Sequence, residues 1–150
     1  MTVDEYYAIT VEGDRKQLVD GAIVVNDDPK PIQSELQARL LIALREWVAA
    51  SSGRGVAWLP TNVEIDDHNV YGPDLMWFAE ERRPATLMEY PDRVPSLCVE
   101  IRSPSTWRYD LGAKLAGYER AGVAEVWLVD NRRPSLALTH RQLRIPRINT

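Results

Sequence analysis

Residues 13–25 read GDRKQLVDGAIVV, two short apolar stretches joined by Asp20-Gly21. Asp-Gly between apolar runs is the strongest short-range hairpin signal in a sequence, and it predicts a β-hairpin near the start of the fold. After the turn-rich NDDPKP, residues 33–51 put Leu36, Leu40, Ala43, Leu44 and Trp47 on one stripe, with Glu35 and Arg39 beside it at i,i+4 spacing. That periodicity predicts an amphipathic helix. GVAWLPTNVEI (55–65) alternates as one strand, DDHN (66–69) supplies a turn, and DLMWFA (74–79) and SLCVEI (96–101) read as two more strands. Between the last two lies ERRPATLMEYPDRVP, polar and broken by three prolines. Helical spacing returns over 108–121 with Leu111, Leu115 and Tyr118, ended by Gly122 as the C′ residue, and AEVWLVD (124–130) gives a final strand. The order is hairpin, helix, three strands, helix, strand. Each helix has one apolar face to bury, so the expected α/β (α+β) architecture is a mixed central sheet flanked by helices.

A chain of 150 residues, 45% hydrophobic, buries about 70% of its unfolded surface as one domain and is too short for two full cores. A single domain over 1–150 is expected. No apolar run approaches the roughly 20 residues needed to cross a bilayer, and MTVDEYYAIT lacks the basic-then-apolar pattern of an export leader. The lone Cys98, between Leu97 and Val99, reads as a reduced thiol inside a strand. Both features fit a cytoplasmic protein. The net charge of −4 is unevenly spread: residues 131–150 hold Arg132, Arg133, Arg141, Arg144 and Arg147 and no acid. Such a tail either docks on the acidic body or faces phosphate.

Within 97–102 the period of two sends Leu97, Val99 and Ile101 to one face and Cys98, Glu100 and Arg102 to the other. Glu100 therefore leaves the core stripe intact. It either occupies a solvated face beside Arg102 or serves a site. Asp74, which follows Gly72-Pro73 at the start of the preceding strand, is either turn punctuation or a second carboxylate near the same end of the sheet. Two such carboxylates repel unless a cation sits between them, and their oxygens suit Mg²⁺ or Mn²⁺. Lys114 is the third candidate. The chain uses 15 arginines and three lysines, and Lys114 is the only lysine after residue 30. It lies at the edge of the Leu111/Leu115/Tyr118 stripe, one turn after Asp110. From there it either reaches over the sheet edge or forms a surface pair with Asp110.

GPDLMWF, PSLCVEIRSPST and DLGAKLAGYERAGVAEVWLVD together resemble the Uma-two family of restriction-endonuclease-like proteins in the PD-(D/E)XK superfamily, over about Gly13 to Asp130. The resemblance implies a nuclease-type mixed sheet, a Mg²⁺- or Mn²⁺-dependent endonuclease acting on DNA, and a homodimer. It implies that Asp74, Glu100 and the Ile101 carbonyl hold the metal. Lys114 then replaces, from the following helix, the lysine usually found two residues after the glutamate, where Arg102 stands. Arg102 either binds substrate phosphate or repels the cation, and the hydroxyls of Ser103, Ser105 and Thr106 either contact phosphate or cap the next helix. Gln33 stands where many relatives have a histidine, with Glu35 nearby as a substitute. The family also continues past Asp130 with more structure than LALTHRQLRIPRINT offers, which implies a divergent end. The competing reading is a catalytically silent relative kept as a nucleic-acid-binding or dimerisation module.

His68 and His140 have no partner at metal or triad spacing and read as surface residues. Trp47, Trp58, Trp77, Trp107 and Trp127 fall within apolar periodicity and are expected in the core, with Trp107 alternatively at a cleft rim.

Overall fold

The structure, a computed structural model, describes residues 1–132 and the backbone of 137–142. It opens on a helix absent from the pattern reading. Thr2 and Glu5 form a reciprocal capping box, with Thr2 N–H donating to Glu5 Oε2 at 2.8 Å and Glu5 N–H to Thr2 Oγ1 at 3.3 Å. These bonds start α1 (Val3–Ile9), and the Thr-x-x-Glu signature was present in the sequence. The hairpin forms as expected from β1 (Lys16–Val19) and β2 (Ala22–Val25), with Val19 opposite Ala22. The φ values of 48° at Asp20 and 75° at Gly21 are those of a type I′ turn.

The expected first helix is α2 (Pro31–Ala49), beginning with Pro31, where proline's missing N–H costs nothing. Residues 55–65 are two strands rather than one: β3 (Val56–Trp58) and β4 (Val63–Asp66) belong to different sheets. Pro60 stands between them and has no N–H to continue a ladder. The turn at Asp67-His68 then leads into β5 (Asn69–Tyr71), too short for its alternation to be read. The strands β6 (Leu75–Phe78), β7 (Leu97–Ile101) and β8 (Glu125–Asp130) match expectation. The second helix is broken at Gly112 into α3 (Trp107–Leu111) and α4 (Ala113–Arg120). Gly122 is the C′ residue of a Schellman motif, with φ of 81°. Val123 N–H donates to the Tyr118 carbonyl at 3.0 Å and Gly122 N–H to that of Glu119 at 3.1 Å. Beyond Asp130, where a divergent end was expected, the backbone of β9 (Ala137–Gln142) pairs with β8.

The strands form two sheets, ordered β2-β1-β5-β4 and β3-β6-β7-β8-β9. In the larger sheet β7 and β8 are parallel and joined by the α3–α4 crossover, while the other pairs are antiparallel. The Leu36 face of α2 covers one side, against Leu75, Leu97, Val99, Ile101 and Val129. On the other side Leu115 and Tyr118 of α4 meet Tyr71, Cys98, Val126 and Leu128. All five residues of β7 are therefore buried. The solvated-face reading of Glu100 is thereby corrected: Glu100 is 3% exposed.

Trp107 is buried, Trp58, Trp77 and Trp127 are half-buried, and Trp47 is 46% exposed, set edge-on to Trp77. His68 lies at the surface with Nδ1 2.9 Å from the Met1 carbonyl. Arg132 pairs with Asp130 at 2.7 Å. The side chains of Arg133, His140, Arg141, Arg144 and Arg147 lie outside the described residues, so the charge reading of the tail rests on the sequence. Among the described residues no helix is long and apolar enough to cross a membrane.

Gly117, inside α4, lets the small sheet dock. A Cβ there would collide with the Tyr71 hydroxyl and lie 2.9 Å from its ring. Alanine in a helix interior ordinarily gains about 1 kcal/mol over glycine, but Tyr71 is fully buried and overpacking a core costs about 1–3 kcal/mol. Overpacking wins. Gly117→Ala is expected to lower unfolding free energy by about 1–2 kcal/mol, and a urea titration in which it is as stable as wild type would contradict this packing.

Candidate active site

Asp74 owes its place to a crossing. Gly72 and Pro73 carry the chain from β5 in the small sheet to β6 in the large one, so Asp74 stands where the two sheets meet. Three bonds fix this crossing. Gly72 N–H donates to Gln17 Oε1 at 3.0 Å, Gln37 Nε2 donates to the Asp74 carbonyl at 2.8 Å, and Ile101 N–H donates to Asp74 Oδ2 at 2.6 Å. The β6–β7 register pairs Leu75 with Val99. One step further along the antiparallel ladder, Asp74 comes opposite Glu100.

Lys114, in the first turn of α4, reaches under this pair. Its Nζ lies 2.6 Å from Glu100 Oε1 and 2.9 Å from Asp110 Oδ1, and 5.6 Å from the centre of the Tyr71 ring. The Asp110–Lys114 pair foreseen as a surface contact exists, but Lys114 is 1% and Asp110 2% exposed. Tyr118 donates its hydroxyl to the same Glu100 oxygen at 2.5 Å. At the other end Thr106 Oγ1 reaches Asp110 Oδ2 at 3.5 Å and Ser103 Oγ at 2.5 Å. A continuous polar chain thus runs Ser103–Thr106–Asp110–Lys114–Glu100–Tyr118. The Ser-Pro-Ser-Thr corner ends the strand and supplies the outer members of this chain. Thr106 makes no side-chain cap bond to α3, so the capping alternative is set aside.

Burial pushes the Asp74 carboxyl up to about 6, against the pull of the Ile101 N–H and Lys114. Burial likewise drives Glu100 upward, opposed by Lys114 and assisted by Asp110 and Asp74. For Lys114, burial favours the neutral amine, but Glu100 and Asp110 outweigh it and hold the ammonium above its usual range. Three carboxyls share one ammonium, and burial draws Asp74 and Glu100 toward the neutral acid.

Asp74, Glu100, Ile101, Lys114, Gln33, Gln37, Ser103 and Thr106 all line one cleft of about 900 Å³, walled on the far side by α1, the following loop and Tyr90. Gln33 faces it while donating Nε2 to the Arg102 carbonyl at 2.8 Å. The structure does not bring Glu35, Arg102 or Ser105 to this cleft. Glu35 pairs with Arg39 at the surface, 2.8 Å apart. The Arg102 guanidinium lies over the Trp107 ring and 3.8 Å from Asp130, and Ser105 Oγ is buried without a hydrogen-bond partner among the described residues.

The profile of the Uma2 family, described as "putative restriction endonuclease", matches residues 3–149. The chain belongs to the Uma2 family. A crystal structure of a "putative nuclease belonging to DUF820" from Anabaena variabilis superposes with a TM-score of 0.75 at 18% identity, covering 95% of this chain and 84% of that one. At that identity the likeness is one of fold, and it shows the mixed α+β architecture shared with that structure. No curated protein matches the chain.

In this Uma2 member the donors at the cleft floor are oxygens. Among the described residues no group of three or more His, Cys, Asp or Glu side chains is set to hold a metal, so a cation here would be completed by main chain and water. Mg²⁺ and Mn²⁺ accept such incomplete protein shells. Arg102 N–H bonds to Val129 of β8, while Ile101 N–H faces Asp74, and in a strand the N–H and C=O of one residue point the same way. The Ile101 carbonyl therefore faces the Asp74 side, as the expected ligand set requires. The donors fit a hard divalent cation.

Sequence reasoning passed over Tyr118, Gln37 and Gln17. Tyr118 was legible only as a member of an apolar stripe, and no local signal distinguishes a glutamine that ties two sheets from one in solvent.

Removing the ammonium leaves Glu100 and Asp110 buried together. Lys114→Met is expected to cost about 3–5 kcal/mol of stability, with Asp110→Asn in the same background recovering part of it, as measured by urea unfolding. Asp74 gives the opposite sign. A carboxyl whose folded pKa is raised contributes stability below its unfolded pKa and loses it as pH rises through about 6. Asp74→Asn should match wild type near pH 3.5, below the unfolded pKa, and exceed it by about 1–3 kcal/mol near pH 8. Identical pH profiles for the two proteins would contradict the buried-carboxyl account.

Proposed function

We propose that this chain is a metal-dependent nuclease that hydrolyses phosphodiester bonds, with DNA as its substrate. The observation that carries this reading is the pair of desolvated carboxylates, Asp74 and Glu100, at the floor of an open cleft with Lys114 held against one of them. A stable core gains little from such a cluster, since well-packed apolar residues of similar volume serve as well or better. Its cost is understandable as the cost of a prepared site.

Asp74, Glu100 and the Ile101 carbonyl would hold Mg²⁺ or Mn²⁺. A bound divalent cation supplies charge to polarise the phosphate and lowers the pKa of a bound water. The chain's own residues do the rest. Lys114 keeps its proton under the influence of Glu100 and Asp110, orients the attacking water and offsets negative charge as it develops on phosphate. Tyr118 and Asp110 fix Glu100 and Lys114 from behind. Gln37 and the Ile101 N–H fix Asp74. Asp74, raised to about 6, and Glu100, raised further, must both deprotonate before metal uptake, so metal affinity should rise with pH from about 6 upward.

One observation favours a second reading. Glu100 Oε1 already has two partners, Lys114 and Tyr118, an arrangement that also suits a silent module in which the cluster is structural. Calorimetric titration of Mn²⁺ separates the two, because Asp74→Asn and Glu100→Gln keep the side-chain shape, with folding of each variant verified by circular dichroism. The nuclease reading expects one site in wild type, lost in both variants, and loss of plasmid cleavage beyond the roughly 10–100-fold that outer partners of a metal site are worth. A folded wild type that takes up no Mn²⁺, with or without an oligonucleotide present, would leave only the silent module.

A further inference from the structure

The far wall of the cleft differs chemically from its floor. Tyr90, in the loop between β6 and β7, folds back to line the same cleft as Asp74 and Glu100. Its ring lies nearly parallel to that of Tyr7 in α1, with 6.0 Å between centroids and 13° between planes. With 48% of its surface exposed, Tyr90 is backed on one side by Tyr7 and open on the other. The Tyr7 hydroxyl, buried in this wall, makes no well-formed hydrogen bond among the described residues, although Asn62 stands beside it. Exposed Val11 and Leu59 extend the apolar rim.

The charge of the lining argues against a continuous duplex. Continuous duplex binding needs a run of free lysines and arginines along the phosphates. The described lining instead carries five acidic side chains and three basic ones. Each of those cations is already paired: Arg15 with Asp28, Lys16 with Asp14, and Lys114 with Glu100 and Asp110. Its remaining equipment is two aromatic faces and several amides, which recognise the face and edge of a nucleobase. A cleft of about 900 Å³ is of the size that encloses a small ligand.

We infer that the cleft takes an unpaired nucleotide of a single strand, whose base stacks on Tyr90 while its phosphodiester is presented to Asp74 and Glu100. This specifies the substrate of the nuclease reading and rests on it. Tyr7 positions Tyr90 from behind, and Tyr90 is the group that touches the base.

The test uses fluorescence anisotropy with a labelled single-stranded oligodeoxynucleotide, the oligoribonucleotide of the same sequence, and the matching DNA duplex, all in Ca²⁺ to limit cleavage. The expected result is tighter binding of a single strand than of the duplex. Tyr90→Ala should weaken single-strand binding by about tenfold, the scale of one lost base–aromatic stack, Tyr90→Phe should restore it, and duplex binding should barely change. Because Tyr90 is half exposed in a loop, its truncation leaves the core intact, and a urea titration verifies that. Duplex binding equal to or tighter than that of either single strand overturns the inference, as does a Tyr90→Ala protein that binds single strands like wild type. Binding of none of the three probes also overturns it. The Mn²⁺ titration then tells whether the nuclease reading survives: a wild type that still takes up Mn²⁺ at Asp74 and Glu100 keeps that reading and loses only the unpaired-nucleotide substrate.

Discussion

One ammonium group organises the centre of this fold. Lys114 Nζ lies between Glu100 and Asp110, all three nearly sealed from water. Burying any one of these charges alone would cost several kcal/mol, so each element that supplies one is held to the other two. Strand β7 brings Glu100, while α3 and α4 bring Asp110 and Lys114 from either side of the break at Gly112. The parallel β7–β8 pair needs a crossover of a dozen or more residues, and this chain uses that crossover to carry two thirds of its buried charge cluster. The small sheet closes the arrangement through Tyr71, whose ring faces both Lys114 and the Tyr118 ring.

Much of the frame was legible because its signals are local. Asp20-Gly21 announced a hairpin, Gly122 a helix end, and the runs at 74–79, 96–101 and 124–130 their strands. Where the pattern misled, the cause was non-local. Residues 55–65 alternate as one strand, yet Pro60 divides them between two sheets. The polar face assigned to Glu100 follows correctly from the period of two, but periodicity cannot tell a face open to water from one covered by α4 and Tyr71.

The candidate site was legible to the same degree and for the same reason. Asp74, Glu100 and Lys114 were picked out by position and by composition, and the structure gathers them in one cleft. Asp110 was visible only as a helix neighbour of Lys114, and whether such a pair is surface ornament or buried charge depends on what packs over it. Arg102 shows the converse. It follows Glu100 by two residues and shares its face by alternation, but the pull of Asp130 and Trp107 turns its side chain away. The ammonium enters from the next helix instead, at the cost of burying a second carboxylate to steady it.

The crossing at Gly72-Pro73-Asp74 has a mechanical consequence. Glu100 belongs to the middle of the large sheet, whereas Asp74 sits on the strap that ties this sheet to the small one. That strap is anchored on both sides, to the small sheet through Gln17 and to the large one through the Ile101 N–H and Gln37. The jaw in which the cation would sit is therefore set by the fold itself, and any change in how the two sheets meet has to break one of these bonds first.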